Sequence, residues 1–318
     1  MKHLFDQYPA SDITCLVKPA MKPREGEALT SYRTAGVQLI EGDLTRPFVS
    51  GTPPPSVDVV FHLAANIDTA ASGAELDVND IGTEHLLAWL GNGCRGARII
   101  YSSSIAVHDR RGMSKGRPIT ESSPFCARTE YGETKLRGEQ ILQSEAPNRG
   151  YTYTILRLAT VYGPDAKPGG LFDQFARYVA SGQLAGRLDW PGRTSIIHVD
   201  DVCTLMIALA KEPRAANEIY CVANAAAPTV SELAQQIGRV TGHPVRPLRL
   251  PKFLWAAVRA SACNRVLFAL TPGRLKLPLW RLSLIVDDGF WFDTTKLQSV
   301  WRQPPKDFDK SLAEMLKC

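Results

Sequence analysis

Short apolar, β-branched runs recur along the first two thirds of the chain, each closed by Pro, Gly, Asp or Ser. DITCLVK (12–18), VQLIEGDL (37–44), VDVVFHLAA (57–65), ARIIYSSS (97–104), YTILRLATVYGP (153–164) and NEIYCVAN (217–224) read as strands. The start of TSIIHVDDVCTLMIALA (194–210) reads as a further short one. The run at 57–65 is apolar enough to be buried on both faces, as strands inside a parallel sheet are. Between them the spacing is that of helices: a helix tail over 2–8 stopped by Pro9, helices over 74–90 and 171–182, and one begun by Asp200 and Asp201. Another covers 229–242, with Ser231 at its start and Gly242 at its stop. The Pro-, Gly- and Arg-bearing 19–27 reads as a loop. Strands alternating with helices imply right-handed crossovers and a doubly wound parallel α/β sheet.

The chain is organised around 97–142. Its strand ends in three serines, which is how a buried parallel strand delivers hydroxyls to its C-terminal edge. The helix that follows has Thr129 as N-cap and Glu133 and Glu139 on its polar side, and it places Tyr131 and Lys135 one turn apart on one face. A phenol beside an ammonium is a proton-transfer device, because the cation favours phenolate and draws a pKa of about 10 toward working pH. On a solvated face the same pair would be inert, so context decides. In open parallel sheets ligands bind beyond the carboxyl ends of the strands. Asp43, Asn66, the serines and Thr160 all fall at such ends.

Composition narrows the function classes. With 318 residues and 44% hydrophobic content the chain can bury a full core, as one large α/β unit or a main domain with a smaller lobe. A net charge of +5, with Lys and Arg scattered, gives no reason to expect a nucleic acid partner. Cys15, Cys94, Cys126, Cys203, Cys221, Cys263 and Cys318 form no C-x-x-C, and three of them sit in apolar runs like reduced core thiols, which points to a cytoplasmic protein. The first residues, MKHLFDQYP, hold no long apolar segment of a signal peptide, and no run is apolar enough for a spanning helix. Residues 251–292 are rich in Leu, Trp, Phe and Arg, broken by Pro272 and Pro278, and helical in pieces. There Lys252, Arg259, Arg265, Arg274, Lys276 and Arg281 interleave with apolar residues, which fits either lobe helices with solvated basic faces or peripheral membrane contact.

Taken in order, GDL (42–44), FHLAA (61–65), N-x-x-G-T (79–83), YSSS (101–104), Tyr131-x-x-x-Lys135, LRLATVYGP (156–164) and IIHVDDV (196–202) resemble the extended short-chain dehydrogenase/reductase, or NAD-dependent epimerase/dehydratase, family. The resemblance implies a Rossmann-type NAD(P)-binding domain over 1–165, to which 194–224 return, and a smaller, mostly helical substrate lobe from 166–193 and 225–318. It implies that Tyr131 is the catalytic acid/base, that Lys135 holds the nicotinamide ribose and lowers the tyrosine's pKa, and that Ser104 hydrogen-bonds the substrate oxygen. It places Asp43 and Leu44 at the adenine, and Leu63, Ala64, Ala65 and Asn66 along the pyrophosphate and ribose. Asn79 falls behind the nicotinamide side, Ser102 also meets the cofactor, and Leu158, Ala159 and Val161 border the ring. Members often pair through the tyrosine helix and the one before it, and Leu86, Leu87, Leu90, Leu136 and Ile141 would permit such a homodimer. Blander roles stand beside these: a turn cap for Asp43, a hydrogen-bonded strand end for the serines, and a helix N-cap for His198-Val-Asp-Asp.

One departure from the family is large. Its members begin with a strand and a Gly-rich turn that lets a helix N-terminus meet the pyrophosphate. This chain has neither and starts inside what should be the first helix, as if Met1 were internal to a longer product. The strand normally sits mid-sheet, between 12–18 and 57–65, and its loss leaves backbone groups without partners at about 1–3 kcal/mol each. Nucleotide-sugar epimerases of the family usually carry Asn where Thr160 stands. They also carry Arg four residues before the histidine of H-V-D-D, where this chain has Thr194, with Arg193 one place off. The apolar lobe instead suits a hydrophobic alcohol or ketone, as in the branch resembling dihydroflavonol reductases and 3β-hydroxysteroid dehydrogenases. Lys18 stands where that branch often meets a 2′-phosphate, which favours NADP slightly over NAD. Two other readings are a nucleotide-sugar epimerase or dehydratase and a non-catalytic nucleotide-binding scaffold.

Overall fold

The computed structural model describes residues 1–19, 23–47, 54–68, 71–108, 116–164 and 171–317. After α1 (Lys2–Phe5) come β1 (Thr14–Val17), α2 (Pro23–Thr34) and β2 (Gln38–Glu41), and the two strands pair in parallel. Helix α2 takes up much of the stretch that the sequence assigns to a loop. Pro23 is its first residue, a position where the fixed φ is preset and the absent N–H costs nothing, so this proline starts structure instead of breaking it.

β3 (Val59–His62) leads through a 3-10 segment over Gly73–Asn79 into α3 (Ile81–Leu90). β4 (Arg98–Ser104), α4 (Glu130–Arg149) and β5 (Thr152–Leu158) follow, then β6 (Thr160–Tyr162), α5 (Leu171–Ala180), β7 (Ile196–His198), α6 (Val199–Lys211), β8 (Glu218–Val222) and α7 (Val230–Val240). The order β3-β4-β5-β8 makes one parallel sheet, and β6 pairs with β7. Alternating side chains of β4 feed two cores. Ile99 and Tyr101 join Leu86, Leu87, Leu90 and Leu142 of α3 and α4, whereas Ile100 joins Val202, Leu205, Met206 and Leu209 of α6. Helices therefore cover both faces, and every strand of the sheet delivers its carboxyl end to the same edge. The Leu86, Leu87 and Leu90 side chains are spent on this core, so they offer no pairing surface to a second copy.

Among the described residues no ladder joins β1–β2 to β3. Leu16 of β1 and Val60 of β3 nevertheless pack on the same cluster. With a hydrogen-bonded neighbour on one side only, β3 keeps Val59, Val60 and Phe61 partly buried, not fully buried as the apolar run predicts. The run 153–164 also divides. Ala159 N–H donates to the Val222 carbonyl (2.9 Å) and Thr160 N–H to the Ser195 carbonyl (3.3 Å), so the chain leaves one sheet and enters another between β5 and β6.

The remaining helices are α8 (Lys252–Ala262), α9 (Arg265–Leu270), α10 (Gly273–Val286), α11 (Thr295–Val300) and α12 (Phe308–Lys317). Pro272 caps α10, but Pro278 lies within that helix and does not end it. α7 starts one cap earlier than Ser231: Thr229 accepts from Glu232 N–H while the Glu232 carboxylate accepts from Thr229 N–H. No helix among the described residues is long and apolar enough to cross a membrane.

Candidate active site

The tyrosine helix is built to sit tightly on the strand edge. Thr129 Oγ1 caps it, accepting from Gly132 N–H at 3.1 Å, and Gly150 closes it with φ 71°. Two glycines set the distance of approach. A Cβ on Gly132 would lie 2.6 Å from the Ala106 carbonyl, and one on Gly138 would overlap the Tyr101 hydroxyl and lie 2.6 Å from the Asn79 carbonyl. Gly138→Ala is therefore expected to lower unfolding free energy by about 1–3 kcal/mol, measured by urea denaturation, since the helix must lift from backbone that cannot yield. An unchanged midpoint would show that α4 has slack here.

On that helix Tyr131 is partly buried in the first turn, and Ser104 at the end of β4 is its hydroxyl neighbour. Burial raises the phenol's pKa, and the Ser104 contact works against that rise. The lowering expected from Lys135 does not appear, because the ammonium is turned to other neighbours. Lys135 is fully buried, with Nζ 4.2 Å from the centre of the Tyr101 ring and no hydrogen-bond partner. Burial pulls its pKa down to about 7, with Glu139 acting in the opposite direction. His62, whose ring nitrogen meets Thr83 Oγ1 at 2.9 Å, falls to about 3 through burial and then the Lys135 charge. A buried ammonium lacking an acceptor leaves a cation with an unmet need, and an oxygen-bearing ligand would meet it.

Beneath this pair lies a buried ionic group that sequence reasoning missed. Glu139, read as a polar-face residue, is 1% exposed, and Arg157 in β5 is fully buried. Arg157 grips Glu139 through Nη2 (2.7 Å) and Nε (3.1 and 3.3 Å), and Nη1 reaches His108 (2.7 Å) and the Glu121 carbonyl (3.0 Å). Ser103 donates a hydrogen bond to the same carboxylate. The signal was present: an arginine inside the apolar LRLA run, and a glutamate one turn past Lys135.

The other expected site residues follow the carboxyl edge. Asn79 ties the segment after β3 to α4: its side chain accepts from Asn66 N–H (2.8 Å) and donates to the Asn66 carbonyl (3.1 Å) and Thr134 Oγ1 (3.0 Å). Leu63 and Ala64 are exposed beyond β3, and Ala65 and Asn66 are partly buried. Ser102 donates to the His62 carbonyl (3.2 Å). Leu158 and Val161 pack on the α6-side core, and Ala159 is buried beside Trp280 and Phe292. Asp43 forms a turn cap, accepting from Thr45 N–H (2.9 Å) and Oγ1 (2.8 Å), and pairs with Lys18 (3.3 Å). The Thr45 hydrogen bonds, opposed by desolvation, hold its carboxyl below the usual range, with Lys18 helping. Leu44 is core, 7% exposed, its carbonyl meeting the His85 ring at 2.8 Å. His198 is the N-cap of α6, with Nδ1 accepting from Asp200 N–H (3.2 Å).

The buried Lys135 Nζ, one helical turn from Tyr131 and without a hydrogen-bond partner, fits the hydroxyls of a dinucleotide's nicotinamide ribose. The pyrophosphate end is different. The chain's G-x-G-x-x-G string, Gly91 to Gly96, precedes β4 and so lies at the opposite, amino edge of the sheet. There Gly93 makes room for the Pro55 carbonyl, which a Cβ would overlap.

The NAD dependent epimerase/dehydratase family model matches residues 3–223. The chain belongs to this family. A 4-hydroxy-2-methyl-3-oxo-4-farnesyl-3,4-dihydroquinoline-1-oxide ketoreductase of Stigmatella aurantiaca is 31% identical over 214 residues, 64% of this chain and 60% of that protein. A 3beta-hydroxysteroid dehydrogenase/Delta(5)-Delta(4) isomerase of Caenorhabditis elegans is 34% identical over 121 residues, 35% of this chain and 24% of that one. The matched segments thus span less than two thirds of either relative. Among solved structures, a UDP-N-acetylglucosamine 4-epimerase from Methanobrevibacter ruminantium aligns over 99% of this chain and 91% of its own, at TM-score 0.71 and 20% identity. The NADPH complex of RMD from Pseudomonas aeruginosa aligns over 95% and 97% at TM-score 0.64 and 20% identity. At these identities the likeness is one of fold, the Rossmann-type fold of the extended short-chain dehydrogenases/reductases.

Proposed function

We propose that the chain is an NAD(P)-dependent oxidoreductase that moves a hydride between the nicotinamide and the carbinol or ketone carbon of a hydrophobic small molecule. The observation that carries this reading is the buried Lys135 Nζ without a hydrogen-bond partner, one turn of α4 from Tyr131, with Ser104 at the end of the strand that α4 packs on. The bound nicotinamide would supply or accept the hydride. In reduction the former carbonyl oxygen gains charge, and Tyr131 Oη gives it a proton while Ser104 Oγ donates a hydrogen bond to the same oxygen. In oxidation Tyr131 takes the proton back. Lys135 would hold the nicotinamide ribose, and Asn66 and Asn79, braced on each other, would fix the wall behind the ring. Lys18, with 59% of its side chain exposed, is free to turn from Asp43 to a 2′-phosphate, which supports NADP over NAD. The ketoreductase relative and the apolar residues of 251–292 support a hydrophobic substrate.

Fluorescence titration tests the cofactor claim. Saturable NADPH binding is expected, tighter than NADH, weakened by about tenfold or more in Lys135→Met by loss of a charge-assisted hydrogen bond. The absence of saturable binding with either nucleotide would defeat the proposal and favour a non-catalytic scaffold. A second reading, a nucleotide-sugar epimerase or dehydratase, draws on a surface cleft of about 470 Å³ lined by Arg193, Arg239 and Glu232. Against it, Arg193 Nη1 is committed to the Ala227 carbonyl at 2.9 Å, and none of the residues lining the cleft is Ser104, Tyr131 or Lys135. Stabilisation by UDP-sugars in a thermal-shift panel would favour that reading.

A further inference from the structure

The lobe beyond α7 has a charge pattern unlike the rest of the chain. Between Leu233 and Val286 fall nine of the 37 Lys and Arg and none of the 32 Asp and Glu, so this stretch carries +9 and the remainder −4. The cations are spread out in sequence, but no acid stands among them to offset them. Arg259 is met by Asp287 and Asp288 from outside the stretch, and Arg249 has Asp189 at 4.0 Å. Arg239, Arg246, Lys252 and Arg281 are exposed.

The same stretch holds the three most exposed large hydrophobic side chains among the described residues: Leu270 (77%), Phe253 (70%) and Val266 (69%). Leu254, Leu267 and Leu275 are exposed with them. These side chains are not left over from a poorly filled interior. The inward faces of α8 and α10 are already satisfied by Trp255, Val258, Leu279, Leu282 and Ile285, and by Trp280 and Leu284. Apolar residues therefore face outward from short helices whose own charged residues are all cationic.

We propose that this face docks peripherally on an anionic lipid bilayer, with α8, α9 and the start of α10 lying in the interface plane. Exposed leucine, valine and phenylalanine would enter the acyl boundary, and the surrounding lysines and arginines would meet lipid phosphates. Charge complementarity selects this occupant. An isologous contact between two copies would set cationic surface against cationic surface, and a nucleic acid would leave the aliphatic side chains without a role. The proposal does not rest on the hydride-transfer reading, although a ketone dissolved in the bilayer would reach the lobe without crossing water.

Vesicle co-sedimentation tests it, and its readout is independent of turnover. Binding to phosphatidylcholine vesicles containing phosphatidylglycerol is expected to exceed binding to phosphatidylcholine alone by about tenfold or more, and to weaken as salt is raised. The double variant Val266→Glu/Leu270→Glu should lose the pellet on both vesicles while melting like the wild type, since both side chains face solvent. Should it melt early, Leu270→Ser alone serves, with a several-fold loss expected. Lys252→Ser/Arg281→Ser should remove much of the anionic preference. No binding to anionic vesicles, binding indifferent to these variants, tighter capture by duplex DNA, or a dimer dissolved by the double variant would each overturn the proposal.

Discussion

Tyr131→Phe is expected to slow hydride transfer by about a hundredfold to ten-thousandfold, the range for a lost general acid, with the melting temperature unchanged. The ring stays in place in the first turn of α4, and only the hydroxyl goes. Ser104 then still donates a hydrogen bond to the substrate oxygen but cannot replace the proton, because an aliphatic hydroxyl is a far weaker acid than a phenol. Ser104→Ala should cost less, since it removes orientation and leaves the acid. Steady-state rates at saturating NADPH, with circular dichroism melting as the folding control, check both. Turnover near wild type in Tyr131→Phe would remove the tyrosine from the chemistry.

The second large effect is on stability. Arg157→Met is expected to lower unfolding free energy by about 3–5 kcal/mol, because it removes the guanidinium that grips the buried Glu139 carboxylate and leaves Ser103 as its remaining hydrogen-bond partner. The arginine supplies three of the close contacts to that carboxylate, and its guanidinium also lies 5.0 Å from the centre of the Phe125 ring and bonds His108 and the Glu121 carbonyl. Removing both charges, in Arg157→Met/Glu139→Gln, should recover a large part of the loss, since the uncompensated ion is what makes the single variant costly. Urea denaturation of the two variants decides. A loss below about 1 kcal/mol in the single variant would place this pair in the class of solvated ion pairs, contrary to its burial. Because Glu139 lies one turn past Lys135 and acts to raise its pKa, the double variant should also shift the pH at which Lys135 titrates downward.

What was legible in the sequence was local. Thr129 as N-cap, the Tyr131–Lys135 spacing, His198 as the cap of α6 and the serines at a strand end depend on residues a few positions apart, and the structure has each in its expected place. What was not legible depends on partners far along the chain. Glu139 looks like a surface residue until Arg157, on the neighbouring strand, reaches it. The run 153–164 looks like one strand until Ser195 and Val222 compete for its backbone. Leu86, Leu87 and Leu90 suit a dimer face or a core equally well, and only the position of Tyr101 and Leu142 settles which. The phenol's pKa moved against the sequence argument for the same reason: one turn of helix sets Tyr131 and Lys135 near each other, but burial and the Tyr101 ring decide where the ammonium points.

The central claim is that the Tyr131 phenol, assisted by Ser104 and the buried Lys135, protonates an oxygen whose carbon receives a hydride. Its most direct test is label transfer: a panel of hydrophobic ketones incubated with NADPH carrying deuterium at both C4 positions and read by mass spectrometry of the alcohol. Deuterium on the carbinol carbon, present with the wild type and reduced in Tyr131→Phe by the factor given above, is the result expected. Alcohol formed without the label, or labelled equally well by the phenylalanine variant, would contradict it.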